Sequence, residues 1–339
     1  MPRRDGVVKF DALRQSQRLF PPRRTMRNPA LRADLLMLLT AMIWGSAFVA
    51  QRLGMEAIGP FLYSGLRFAL GALVLVPLLL LARRSTGGRL AFSRPLLWNG
   101  MLLGVVLAIG INLQQVGLLF TSVTNSGFIT GLYVIMVPLL GLLIGQRTGL
   151  GTWLGACLAV VGMALLSIGE GFSVASGDWL QLAGALVWGV HVLLVSALAS
   201  RHDPISLAFL QFLTCSLLSL PLALVFETFD LAAIGQAMPA ILYGGILAVG
   251  VGFTLQVVAQ KHAIASHAAI ILSLEAVFAA LAGALILGES LPLKGYVGCA
   301  LMFAGMLLAQ LWPKKVVVQP EDTDARPSAP ELVGRQESR

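Results

Sequence analysis

Residues 155–166 read GACLAVVGMALL, and residues 298–309 read GCALMFAGMLLA, 143 positions later. Each run is apolar and carries two glycines seven apart: Gly155 and Gly162, then Gly298 and Gly305. Residues seven apart lie on similar faces of one helix. Small residues on one face let membrane helices approach closely. Upstream the correspondence continues, with GLLIGQ at 141–146 against GALILGE at 283–289. Further back, Trp44-Gly45 and Trp188-Gly189 stand 144 positions apart. Three landmarks at a nearly constant offset read as an internal duplication rather than generic glycine-rich composition.

Composition says where such a chain resides. Hydrophobic residues make up 57% of the 339 positions and charged residues 12%, against roughly 25% charged for a soluble domain. Mean hydropathy is +0.83. The middle of the chain lacks the polar residues needed to cover a soluble surface. The net charge of +8 is segregated: nine of the 24 Lys and Arg precede Leu35. Basic residues beside a membrane span act as an orientation signal. No zinc spacing or aromatic-basic platform supports a nucleic-acid partner. Cys157, Cys215 and Cys299 all fall in apolar runs and read as small buried hydrophobes.

About 20 mostly apolar residues cross a bilayer as a helix. Ten segments fit: 35–54, 60–82, 96–119, 122–145, 150–168, 179–199, 205–226, 237–259, 266–287 and 295–312. Long unbroken runs such as Leu70 to Leu81 argue against the alternating pattern of a membrane β-barrel. The expected organisation is a basic tail at 1–34, a first repeat at 35–168, a second at 179–312, and a polar, disordered tail at 313–339. With the N-terminus inside, the inner loops carry Arg83, Arg84, Arg89, Arg94, Arg147, Arg201 and Lys261. The outer loops carry Glu56, Glu170, Asp178, Glu227 and Asp230, with Lys294 as the outer exception. This bias predicts both termini in the cytoplasm of a multi-pass cell-membrane protein. Five spans per repeat is an odd number, so the second copy is inverted relative to the first. Inverted repeats are a common architecture of secondary transporters.

Taken together, the Trp44-Gly45 and Trp188-Gly189 spans and the repeat ends Gly145-Gln146 and Gly288-Glu289 resemble the EamA domain pair of the drug/metabolite transporter superfamily. The resemblance covers residues 35–312. It implies an all-α carrier of ten helices in two inverted five-helix repeats, with a central cavity between them. It also implies export of small metabolites, amino acids or xenobiotics. Gln146 stands where an acidic residue is common in the family, whereas Glu289 keeps the acidic ending.

The chemistry-bearing residues point to binding rather than catalysis. His191, His202, His262 and His267 form no recognisable metal spacing, no phosphate-binding loop is present, and neither an enzyme nor a cofactor is expected. Glu275 lies mid-span within LSLEAVFAALAG, where a carboxylate is costly unless neutral, paired or in a wet cavity. It is the candidate for proton coupling or for a substrate amine. Arg67 could meet a substrate carboxylate, with snorkelling to the interface as the alternative. Arg52 reads as interfacial. His191 is a candidate relay or a core histidine. Asn112, Gln114 and Gln115 in the third span, Asn125, Thr130 and Tyr133 in the fourth, and Gln256 and Gln260 in the eighth supply a polar path or interhelical bonds. Trp44 and Trp188 are candidate cavity walls, and Pro77 and Pro138 are candidate kinks. The resulting expectation is alternating-access transport of a small metabolite or amino-acid-like solute, outward and coupled to protons through Glu275. A membrane sensor or assembly protein is the alternative class.

Overall fold

The computed structural model describes residues 29–85, 92–146, 148–167, 176–288 and 293–312. Among them every regular element is helical. In chain order these are α1 (Pro29–Gly54), α2 (Pro60–Ser85) and α3 (Arg94–Gly117), which a 3₁₀ turn extends over Leu118–Phe120. Then come α4 (Val123–Gly131), α5 (Tyr133–Leu143), α6 (Leu150–Ser167), α7 (Ser176–Ala199), α8 (Pro204–Phe226) and α9 (Leu231–Leu242). A π-helical stretch follows at Tyr243–Phe253, then α10 (Thr254–Gln260), α11 (Ala265–Leu272), α12 (Glu275–Ile286) and α13 (Leu293–Leu311).

Helices dominate because hydrocarbon offers no partner to a bare backbone group. Local chemistry sets their ends. Ser93, Ser122, Asp203 and Asp230 each cap the helix that follows by accepting a backbone N–H. The Glu227 carboxylate does the same from a distance, accepting from Phe61 N at 2.7 Å and Leu62 N at 2.8 Å at the start of α2. Gly145 and Gly288 close α5 and α12 with φ of 80° and 70°. That left-handed backbone is what glycine permits at a helix C-terminus.

Among the described residues, eight stretches are long and apolar enough to cross a membrane. The segments expected at 150–168 and 295–312 fall on the two shorter apolar helices, Leu150–Leu165 and Leu293–Ala309. The protein is therefore an all-α, multi-span integral membrane protein. Large apolar side chains such as Leu143, Leu231 and Leu285 are more than 80% exposed and face outward, while Gln51, Arg67, Gln114, Gln115 and Glu275 are buried inside.

Three expectations need revision. α1 begins at Pro29, inside the stretch read as tail. The eighth span begins at Leu231 and changes to π-helix at Tyr243. The fourth and ninth spans are interrupted, at Leu132 and at Ser273-Leu274. At both interruptions the hydrogen bonds tighten to i→i−3, as in Leu132 N to Ile129 O and Leu274 N to Ile271 O. These tighter bonds carry the backbone through each interruption. Glu289, singled out by sequence, lies outside the described residues.

Packing is reciprocal. α6 packs on α13, and α2 on α8. α1 packs on α12 and on the span formed by α9, the π-helical stretch and α10, while α7 packs on α3, α4 and α5. The duplicated glycines lie in the first of these contacts. A Cβ on Gly155 would sit 2.6 Å from the carbonyl oxygen of Gly305, and a Cβ on Gly305 would sit 2.6 Å from that of Gly155.

Candidate functional site

A central cavity lies between α1, α3, α7, the π-helical stretch and α12. It spans about 480 Å³ of non-atom space, part of it open to solvent. Of this, about 40 Å³ is space for water molecules, room for a few of them.

One wall carries a cation. Arg67, from α2, is 2% exposed, which rules out snorkelling. Its guanidinium donates to Gln115 Oε1 at 3.1 Å and to Gln51 Oε1 at 3.4 Å. It lies 5.1 Å from the Tyr63 ring centroid and 5.4 Å from that of Phe68. Its Nε has no hydrogen-bond partner among the described residues. These partners are neutral, so the charge is solvated by amides and rings rather than cancelled.

Another wall carries an acid. Glu275 occupies the first turn of α12 and Tyr133 opens α5, each directly after an interruption. Both residues line the cavity, with the carboxyl beside the phenol. The start of a helix favours a carboxylate through its exposed N–H groups. Glu275 is 4% exposed. No ion pair joins it to Arg67.

Aromatic side chains close the space. Trp44 lies 4.5 Å from Phe253 between ring centroids, and Trp188 stacks on Phe253 at 5.9 Å. Trp188 Nε1 donates to Gln114 Oε1 at 2.9 Å, and Gln114 Nε2 donates to Gln51 Oε1 at 3.4 Å. Gln256 and Thr130 complete the polar lining.

Of the candidates named from sequence, Glu275, Trp44, Trp188, Tyr133, Gln256, Arg67, Gln114 and Thr130 line this cavity. Others lie elsewhere, among them Gln260, which donates to Val192 O and Ser196 Oγ. Gln115 stands behind the cavity and holds Arg67. His191 is a fully buried core residue whose Nε2 pairs with Gln211 Oε1 at 3.0 Å. It has no bond to His267, whose Nε2 pairs with Thr152 Oγ1 at 3.1 Å. Asn112 joins α3 to α8 by donating to Ser219 Oγ at 2.8 Å. Asn125, with Thr121, donates to Asp178 Oδ1 at the mouth of α4. Asp178, expected in a loop, is thereby buried in the first turn of α7. Arg52 is partly buried and donates to Leu118 O at 2.8 Å. Gln51 and Phe48 were missed by sequence. They follow Trp44 by seven and four positions, so the helical face defined by Trp44 predicts them. No group of three or more His, Cys, Asp or Glu side chains among the described residues could hold a metal ion.

Comparison with known proteins adds to this geometry. Residues 31–168 and 175–311 each match the profile of the EamA-like transporter family. An "Uncharacterized transporter" from Archaeoglobus fulgidus is 32% identical over 285 residues, covering 83% of this chain and 86% of the relative. A "Probable terminal-alkyne amino-acid exporter" from Streptantibioticus cattleyicolor is 26% identical, covering 80% and 91%. A protein of known crystal structure superposes with a TM-score of 0.69 at 21% identity, over 83% of this chain and 96% of that one, which shows a shared fold.

Proposed function

The chain belongs to the EamA-like transporter family, and from that premise we propose that it carries a small amphoteric solute through the central cavity by alternating access. The observation that carries this reading is the pair of uncancelled groups on one cavity. Arg67 lacks a carboxylate partner among the described residues, and Glu275 lacks a cation. Buried charge without a partner is costly. A solute bearing both a carboxylate and an amine supplies the two missing partners at once. The aromatic lining accommodates an apolar side group.

Ten spans, counting the two shorter apolar helices, form two inverted repeats of five, with both termini in the cytoplasm. The reciprocal packing of α1 against the third and fourth spans of the second half, and of α7 against those of the first, supports this arrangement. So do the matching interruptions and the twin positive-φ glycines. The exporter description of the Streptantibioticus relative supports outward movement. Glu275 couples transport to protons by exchanging a proton for the solute amine.

Uptake into proteoliposomes tests the reading, using labelled amino acids, short organic acids and amines with and without a pH gradient. Saturable movement of at least one amphoteric solute is expected, and no saturable flux across the panel sinks it. Gradient dependence that persists in Glu275→Gln removes the proton role. Cysteines substituted at Glu56, Val174 and Thr228 should label from outside and one at Thr86 from inside. The reverse pattern overturns the orientation.

A further inference from the structure

Gln114 and Gln256 stand 142 positions apart, and both line the cavity. Trp188 and Trp44 stand 144 apart and line it too. The duplicated pairs are wired differently. Trp188 donates its indole N–H to Gln114 Oε1 at 2.9 Å. Trp44 does not donate to Gln256. Its indole N–H goes to the backbone carbonyl of Ala248, at 3.1 Å, within the π-helical stretch. The equivalent element of the first half, α3, runs as regular α-helix from Arg94 to Gly117. Changing the helix type in one half diverts the tryptophan to the backbone and leaves the glutamine amide without it. Gln256 is 1% exposed, and its Oε1 has no hydrogen-bond partner among the described residues.

A buried acceptor left open is costly and persists where a ligand uses it. This one shares its cavity with the Glu275 carboxyl and the faces of Trp44 and Phe253. An acid, an amide oxygen and aromatic faces together suit a cation that carries N–H donors. We propose that Gln256 Oε1 accepts an N–H from the ammonium group of the carried solute, whereas Gln114 is a strut that fixes Trp188 and Gln51. The proposal rests on the cavity being the solute site. It adds a division of labour between two residues that occupy equivalent places in the duplicated sequence.

The test needs no flux. The purified full chain is melted with n-butylamine and with n-butyltrimethylammonium, which keeps the charge and lacks the donor. Wild type should be stabilised by the amine at about tenfold lower concentration. Gln256→Met should lose that preference and melt no lower than wild type when empty. Gln114→Met should keep the preference and melt lower, because Trp188 loses its acceptor. Equal stabilisation of wild type by both compounds overturns the proposal. So does a preference that survives Gln256→Met or disappears in Gln114→Met. A Gln256→Met chain that fails to fold gives the amide a structural role and overturns it as well. Absent uptake in the proteoliposome panel would sink the carrier reading separately.

Discussion

The seam between α6 and α13 and the wall of the central cavity are both buried helix contacts, built by opposite means. In the seam, backbone meets backbone. Gly155 and Gly162 face the carbonyls of Gly305 and Gly298, and a Cβ on any of the first three of these would crowd its neighbour. Hydrocarbon gives apolar helices no hydrophobic reason to associate, so close packing has to hold them. In the cavity wall, long polar side chains reach across gaps, and Arg67 Nε and Gln256 Oε1 have no hydrogen-bond partner among the described residues. The seam is satisfied as it stands. The wall keeps polar atoms available to a ligand. Substitutions in the two regions should therefore fail in different ways, the first in stability and the second in binding.

The largest effect is expected from Arg67→Met. Losing a hydrogen-bonded charge partner raises the half-saturating solute concentration on the order of a hundredfold. Removing a buried guanidinium that no carboxylate balances among the described residues should leave the melting temperature unchanged or higher. A lower melting temperature with unaltered uptake would place Arg67 with the seam, as scaffolding. The seam itself is probed by Gly155→Val, which forces a branched side chain against Gly305. A loss of about 1–3 kcal/mol in stability is expected from such overpacking, with uptake per folded molecule retained. Loss of uptake at unchanged stability would mean the seam moves during transport and would erase the contrast. A smaller stability effect is expected from Glu227→Ala, which strips the acceptor from two N–H groups at the start of α2. Loss of a helix cap costs about 1 kcal/mol, read by thermal unfolding.

The seam was legible in sequence and much of the wall was not. Gly155, Gly162, Gly298 and Gly305 announce themselves because the chain states them twice at one offset, and glycine at helical spacing has a single physical reading. Glu275 and Arg67 were visible because charge inside an apolar run needs a reason. Which amides reach the cavity could not be read, since Asn112, Gln114 and Gln115 occupy neighbouring positions and 100° of rotation per residue sends each elsewhere. Asn112 turns to α8, Gln115 to Arg67 and Gln114 to Trp188. His191 sits three positions after Trp188, on much the same helical face, yet it is consumed by Gln211 on α8. Sequence periodicity gives the face and not the neighbour. The π-helical stretch had a partial signal in the glycines of YGGILAVGVGF. Glycine marks helix weakness without specifying its form.

Those glycines allow the finest probe of the contrast. A Cβ on Gly252 would sit 2.7 Å from Trp44 Nε1, so Gly252→Ala cannot leave the indole where it is. The ring is displaced from the Ala248 carbonyl, and the acceptor it has in the other half of the chain is a glutamine amide. The equivalent acceptor here is Gln256 Oε1, which is open. The substitution should therefore make the second half resemble the first and fill the open acceptor from within. Stability should change by less than about 1 kcal/mol, since one hydrogen bond replaces another, and Trp44 fluorescence should shift. Binding of n-butylamine should weaken by about threefold, the equivalent of a fraction of one hydrogen bond. Combining Gly252→Ala with Gln256→Met should add no further loss, because both remove the same acceptor. Additive losses would mean that Trp44 and Gln256 act on the solute independently.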